Sequence, residues 1–202
     1  MIVEKLEHGW LHRPEEVRLA LALTHGAGSN CEAPLLVALA EAFADEGVLV
    51  LRYDLPFRVA RPKGPPMGSQ KRDQDGVRAA AALLKRLAPA VPLVLAGHSY
   101  GGRQTSIAAS EDATLADALL LLSYPLHPPG KPDQPRTGHF PMLRRPSLFV
   151  HGTRDEFGTV EQLKSALGLI PARTELLVVT GGHGLPLNIA AIVPGALSGF
   201  LA

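Results

Sequence analysis

A serine framed by glycines, Gly97-His98-Ser99-Tyr100-Gly101, follows the apolar run at 91–96 and leads into a helix-period segment at about 102–111. A G-x-S-x-G pentapeptide alone is a weak pattern. Set between a buried strand and a helix, it describes one sharp turn that lifts the serine above the end of a sheet. Side chains two residues before and two after such a turn would collide, which accounts for glycine at 97 and 101. The helix that follows directs the positive end of its dipole at the serine. The rest of the chain must then supply strands that end beside this one.

The apolar pattern supplies them. Short apolar runs at 17–24, 48–53, 92–96, 118–123, 148–151 and 175–180 read as strands. Between them lie helix-period stripes. Leu35, Leu39 and Phe43, with Leu36 and Ala40 beside them, form one, and Pro34 is tolerated because it falls in the first turn. A second spans about 72–87, with Asp73 and Asp75 at its start and Lys85 and Arg86 at its end, the polarity a helix dipole favours. A third, at about 160–169, opens with Thr159 and Gln162 in capping-box spacing and closes at Pro171; a last one begins near 188. Stretches 54–68 and 124–146 are Pro-rich and read as loops, and the first residues read as an antiparallel hairpin at the sheet edge. The order βαβαβαβαβα predicts a doubly wound, mostly parallel sheet with helices on both faces, in one domain spanning 1–202. Right-handed crossovers then bring every strand's C-terminal end to one rim.

Composition narrows the function classes. The 202 residues are 46% hydrophobic and 19% charged, with a net charge of +1, as in ordinary globular proteins. No basic stripe points to nucleic acid, and no block of like charges suggests an interaction tail. Cys31 is the single cysteine, so no disulfide forms within the chain. Glu4, Lys5 and Glu7 interrupt the first residues, unlike a signal peptide, and no apolar run approaches the roughly 18 residues of a membrane span. The expectation is a soluble cytoplasmic protein with no membrane partner.

The rim loops hold the remaining chemistry. A serine hydroxyl needs a base, and His183, in Gly181-Gly182-His183-Gly184 after the last strand, is the candidate. The histidine needs an orienting carboxylate, for which Asp155 follows the strand at 148–151. Oxyanion donors are expected from the backbone N–H of Tyr100 and from that of Ala27, in His25-Gly26-Ala27-Gly28 after the first long strand. Asp54 is the rival acid, but it follows the strand before the elbow strand, where a turn-stabilising role is expected. His25 and His98 flank glycine turns and are expected to satisfy buried backbone groups. His127 and His139 lie in the long loop and could face substrate, while His151 ends a strand as a packed core residue. The eight histidines include no pair with zinc-site spacing, and no metal or other cofactor is expected. Cys31 opens a helix, where a dipole would activate it, but a packed thiol is the favoured reading. Arg52, Arg58 and Arg103 lie near rim loops and could bind an anionic group; pairing with Asp54 or capping of loops is favoured.

Several segments resemble one α/β-hydrolase family: THGAGSN at 24–30, RYDLPF at 52–57, GHSYGGR at 97–103, LLSYPLHPPGKPDQPRTGHF at 121–140, HGTRDEFG at 151–158 and GGHG at 181–184. That family includes bacterial predicted hydrolases, the animal testis-expressed hydrolase-like protein and the hydrolase-like region of a chromatin acetyltransferase-complex subunit. More loosely, the chain is similar to small dienelactone hydrolases and carboxylesterases. The resemblance implies a compact α/β-hydrolase fold without a large lid, and Ser99, Asp155 and His183 as its triad. The leading expectation is hydrolysis of a small ester or thioester. A non-catalytic interaction module that keeps the fold, and acyl transfer to an acceptor other than water, are the alternatives.

Overall fold

A computed structural model describes residues 1–202, and eight of its segments pair into one sheet. The strands are β1 (Ile2–Leu6), β2 (Gly9–Arg13), β3 (Leu19–Thr24), β4 (Val48–Tyr53), β5 (Leu93–His98), β6 (Ala118–Leu122), β7 (Ser147–Gly152) and β8 (Thr174–Val179). They lie in the order β1-β2-β4-β3-β5-β6-β7-β8. The hairpin β1–β2 is antiparallel and joins β4 antiparallel at the sheet edge, while β3 to β8 are all parallel. This is an alpha/beta hydrolase fold, as the sequence leads one to expect.

Strand alternation sorts the core into two layers. In β4, Leu49 and Leu51 face one side, where α2 (Pro56–Ala60), α3 (Gln70–Leu87), α4 (Tyr100–Glu111) and α5 (Val160–Leu167) pack with Phe57, Val77, Ala108 and Leu163. Val48 and Val50 face the other, against α1 (Pro34–Asp45) and α6 (Val193–Leu201) through Leu39, Phe43, Leu197 and Phe200. With both faces covered, the central strands can be apolar along their whole length. Pro34 occupies the first turn of α1, and the Thr159–Gln162 capping box opens α5. No helix is long and apolar enough to cross a membrane.

Four expectations need correction. The Pro-rich stretch 54–68 contains α2, because Pro56 sits in the first turn, where its fixed φ suits a helix, and the Phe57 amide donates to Asp73 at 2.9 Å. The crossover from β6 to β7 is a loop with only a 3-10 turn at Phe140–Met142, as the Pro-rich stretch 124–146 leads one to expect, so it is the strict βα alternation that fails there. Tyr124 and Phe140 pack on Phe149 in its place. The final helix is two pieces, a 3-10 turn at Leu187–Ala191 and α6, since Pro194 starts a new helix and cannot continue an old one. β5 runs on to His98 and α4 begins at Tyr100, leaving Ser99 alone between them.

Candidate active site

Ser99 has φ 51° and ψ −117°, a conformation that costs energy in any residue with a Cβ. Its amide donates to the Leu122 carbonyl at 2.8 Å, which fastens the turn to β6. The glycines on either side serve different contacts. A Cβ at Gly97 would lie 2.5 Å from the Gly102 nitrogen, so this glycine lets the turn fold onto itself. A Cβ at Gly101 would lie 2.4 Å from the His25 carbonyl oxygen and 2.7 Å from Thr24 Cγ2. That glycine lets α4 approach the loop after β3.

The structure brings Ser99, His183 and Asp155 together. His183 Nε2 lies 2.7 Å from Ser99 Oγ, placed to accept its proton. On the other side of the ring, Nδ1 lies 2.9 Å from both carboxylate oxygens of Asp155 and donates to them. Phe157 covers one face of the imidazole, with ring centroids 4.1 Å apart, and its amide donates to Asp155 Oδ1 at 2.9 Å. Burial opposes charge on the Asp155 carboxyl. The His183 hydrogen bond, the Phe157 amide and the charges of His183 and His151 outweigh it and hold the group below its ordinary value. The carboxylate form is therefore the one the site maintains.

The loop that carries His183 is fixed from several sides. The Arg154 amide donates to the Gly181 carbonyl at 2.8 Å. Gly152 lets the end of β7 pass so close that a Cβ there would meet the Gly181 and Gly182 oxygens at 2.6 Å. His98 Nε2 donates to the His183 carbonyl at 2.9 Å. Burial, joined by the charges of His183 and His25, pushes His98 down to about 4 despite that bond and the Asp155 charge. Its neutral ring serves the backbone of the neighbouring site residue.

Donors for a developing oxyanion are also present. Tyr100 is the first residue of α4, so its N–H has no partner within the helix. The Ala27 N–H donates to no protein group, while its carbonyl accepts from Arg58 Nη2 at 2.8 Å. Gly26, next to it, is close enough to the nucleophile that a Cβ would lie 3.4 Å from Ser99 Cβ. Tyr100 is further held by its hydroxyl, which donates to Asp73 Oδ2 at 2.6 Å.

The other candidates resolve individually. Asp54 Oδ1 accepts the Cys31 amide at 2.7 Å, tying down the loop before α1. His25 donates through Nδ1 to the Gly26 carbonyl at 2.8 Å and accepts the Leu55 amide at Nε2 at 3.1 Å. His127 donates to the Pro128 carbonyl, and His139 Nε2 lies 2.8 Å from Ser106 Oγ. His151 donates to the Gly158 carbonyl at 2.8 Å, and its other nitrogen lies 3.7 Å from Asp155, behind the acid. Cys31 precedes α1 by three residues, so no helix dipole activates it; burial and Asp54 push its thiol up to about 12. Arg52 bonds His12 and the Cys31 carbonyl. Arg58 caps the carbonyls of Ser29, Ala27, Arg61 and Gly64. Arg103 does neither of the things expected of it: it meets no carboxylate and caps no carbonyl, and bonds only Gln70 Oε1 at 2.9 Å. Sequence reasoning missed Phe157, Asp73 and the placement of His151 behind Asp155. Asp73 carries no motif; Phe157 lies within HGTRDEFG at 151–158, and the four-residue spacing of His151 from Asp155 falls in the same segment.

Residues 17–188 match the family described as Alpha/beta hydrolase domain. The chain belongs to that family. Three solved structures superpose along nearly all of it. A protein of Thermus thermophilus, 21% identical, covers 99% of this chain and 98% of its own with a TM-score of 0.77. An alpha-beta serine hydrolase homologue from Coxiella burnetii, 19% identical, covers 100% and 96% with a TM-score of 0.75. Est1E from Butyrivibrio proteoclasticus, 20% identical, covers 100% and 96% with a TM-score of 0.74. At these identities the likeness is one of fold. Among alpha/beta hydrolases, the site described above lies where the fold gathers its strand ends.

Proposed function

We propose that this alpha/beta hydrolase is a serine esterase or thioesterase that acts through an acyl-enzyme on Ser99. The observation that carries the reading is the unbroken chain from Ser99 Oγ to His183 Nε2 at 2.7 Å and from His183 Nδ1 to Asp155 at 2.9 Å. As His183 removes its proton, the Ser99 oxygen attacks the ester carbonyl. The carbonyl electrons move to oxygen, which the Tyr100 and Ala27 amides receive; one such donor typically contributes about 3 kcal/mol to the transition state. His183 then protonates the departing alcohol or thiol as its bond to carbon breaks. Water, deprotonated by the same nitrogen, attacks the acyl group and releases the acid, restoring Ser99. Asp155 keeps the ring in the tautomer both halves require.

This reading takes the chain as one domain working in the cytoplasm on a small-molecule substrate, without nucleic-acid or membrane partners. Within the family, the resemblance of the stretch 121–140 supports a relationship to the bacterial hydrolases akin to the animal testis-expressed hydrolase-like protein. A fluorophosphonate probe tests the proposal. Covalent labelling of the wild type that vanishes in Ser99→Ala supports it, and a folded wild-type protein that takes up no label overturns it in favour of a non-catalytic module. Adding alcohols as competing acceptors, with product analysis, separates hydrolysis from acyl transfer.

A further inference from the structure

Arg103 lies one helical turn beyond Ser99, and its amide donates to the Ser99 carbonyl at 3.0 Å. Side chains on a helix lean toward its N-terminus, so this guanidinium is directed back to the rim where Ser99 stands. It finds Gln70 there, at the start of α3, through Nη1. Its Nε is buried and has no partner at all. A buried N–H without an acceptor is rare in folded proteins and calls for an explanation.

A second guanidinium occupies the same corner. Arg136 lies in the connection from β6 to β7 and is clamped at both backbone groups. Its amide donates to the Leu126 carbonyl at 2.7 Å, and its carbonyl accepts the fully buried Tyr124 hydroxyl at 2.6 Å. Its side chain makes no hydrogen bond and no ion pair, and Arg103 is likewise in no ion pair. Burial, followed by the positive charge of Arg103, pulls Arg136 below its ordinary value, with only the weaker influence of Tyr124 in the other direction. The same Arg103 charge, after burial, helps push His139 down to about 4, so that ring is neutral and gives no counter-charge. Asp73, the carboxylate beside Tyr100, is taken up by the Tyr100 hydroxyl and the Phe57 amide. Two half-buried cations of the same sign therefore share one corner of the rim without an anion. By contrast, the buried Arg52 and Arg58 both have protein acceptors.

We propose that Arg103 and Arg136 form the recognition site for an acidic group, carboxylate or phosphate, on the substrate that Ser99 attacks. The proposal rests on the hydrolase reading and adds a substrate class to it: an ester or thioester whose acyl or leaving part is anionic. A planar guanidinium suits either oxyanion, donating to two of its oxygens at once. The anion would take up the reachable donors of the two guanidiniums, Arg103 Nη2 and the unpartnered nitrogens of Arg136, and relieve the repulsion between the two cations.

Matched substrate pairs test this. Mono-p-nitrophenyl glutarate against p-nitrophenyl valerate examines a carboxylate in the acyl part. Butyryl phosphopantetheine against butyryl pantetheine examines a phosphate in the leaving part. The readout is the ratio of kcat/KM, charged over neutral, so a general loss of activity in a variant cancels. We expect a ratio of at least tenfold in the wild type for one pair, which also identifies the anion. Arg103→Gln and Arg136→Gln should each lower it about tenfold, and Arg103→Lys should restore part of it. A wild-type ratio of one or less in both pairs, or a ratio unmoved in both variants, overturns the proposal even when the fluorophosphonate labels Ser99. Should the protein take no label, calorimetric titration with glutarate and with inorganic phosphate decides independently. Saturable binding lost in Arg103→Gln supports an anion site without hydrolysis, and no binding overturns it.

Discussion

His98 offers a quantitative test of how the site is held. Its ring is half-buried and neutral, with a pKa lowered from 6.5 to about 4, and it donates to the His183 carbonyl at 2.9 Å. In the unfolded chain it protonates near 6.5. Between those values the unfolded state binds the extra proton, so stability must rise with pH there and fall on acidification. At about 1.4 kcal/mol per pKa unit, the full effect is ~3 kcal/mol below pH 4, of which about 2 kcal/mol is lost between pH 7 and pH 5. His98→Gln removes the titration and keeps an N–H that can reach the His183 carbonyl. Urea denaturation of both proteins at pH 7 and pH 5 gives four free energies. The wild type should lose about 2 kcal/mol more than the variant across that interval. His12 and His139 are also pushed down to about 4 and add to the loss in both proteins, so the difference isolates His98. Asp155 does not enter the interval, since it is held below its ordinary 3.8. Equal losses in the two proteins would refute the account of His98 as a neutral ring serving the His183 loop.

Three further outcomes follow from the geometry. Gly101→Ala should lower stability by at least about 2 kcal/mol, because its Cβ would meet the His25 oxygen at 2.4 Å, whereas Gly199→Ala in α6, with nothing within 4 Å, should raise it by about 0.5–1 kcal/mol; thermal unfolding reads both. Asp155→Asn should cut esterase kcat by roughly 10³–10⁴-fold with an unchanged circular dichroism spectrum, since Nδ1 of His183 loses the acceptor that fixes its tautomer. Cys31, 4% exposed and pushed up to about 12, should resist a disulfide reagent at pH 8 in the native protein and react in denaturant; rapid native reaction would contradict the packed thiol.

The parts of this molecule legible in the sequence are those in which one residue type has one physical use. Gly97, Ser99 and Gly101 could be placed because a strand and a helix flank them. His183 and Asp155 could be placed because each follows a strand that must end on the same rim. Charge carried less information. Asp73 reads as a helix-start acid, yet it bridges Phe57 and Tyr100 across three helices, a role set by packing that only the fold assembles. α2 was hidden because proline breaks a helix in its interior and favours it in its first turn, and a run of prolines reads the same in both cases. The arginines show the limit most clearly. Arg52, Arg58 and Arg103 look alike from the sequence, but only contacts made by distant residues separate two capped guanidiniums from one left open.

Strain in the backbone falls in the same places as the chemistry. Only Ser99, Ser123 and Leu185 have positive φ without being glycine, at 51°, 46° and 53°. Ser99 is the elbow residue. Ser123 follows directly on the strand whose Leu122 carbonyl accepts the Ser99 amide, and its own amide is fixed to the Val150 carbonyl at 2.8 Å. Leu185 lies two residues past His183, and its amide closes a turn on the Gly182 carbonyl at 3.2 Å. Such conformations persist only where the surroundings over-determine them, at a cost of order 1–3 kcal/mol each. Here the surroundings are the parallel ladder from β3 to β8 and its two apolar layers, none of which uses a site residue as a core contact. The exception is Tyr100, partly buried against the layer formed by α2 to α5. It follows that Ser99→Ala, which keeps the Cβ and with it the strained turn, takes away nothing that holds the sheet, so loss of labelling in that variant would report on chemistry and not on unfolding.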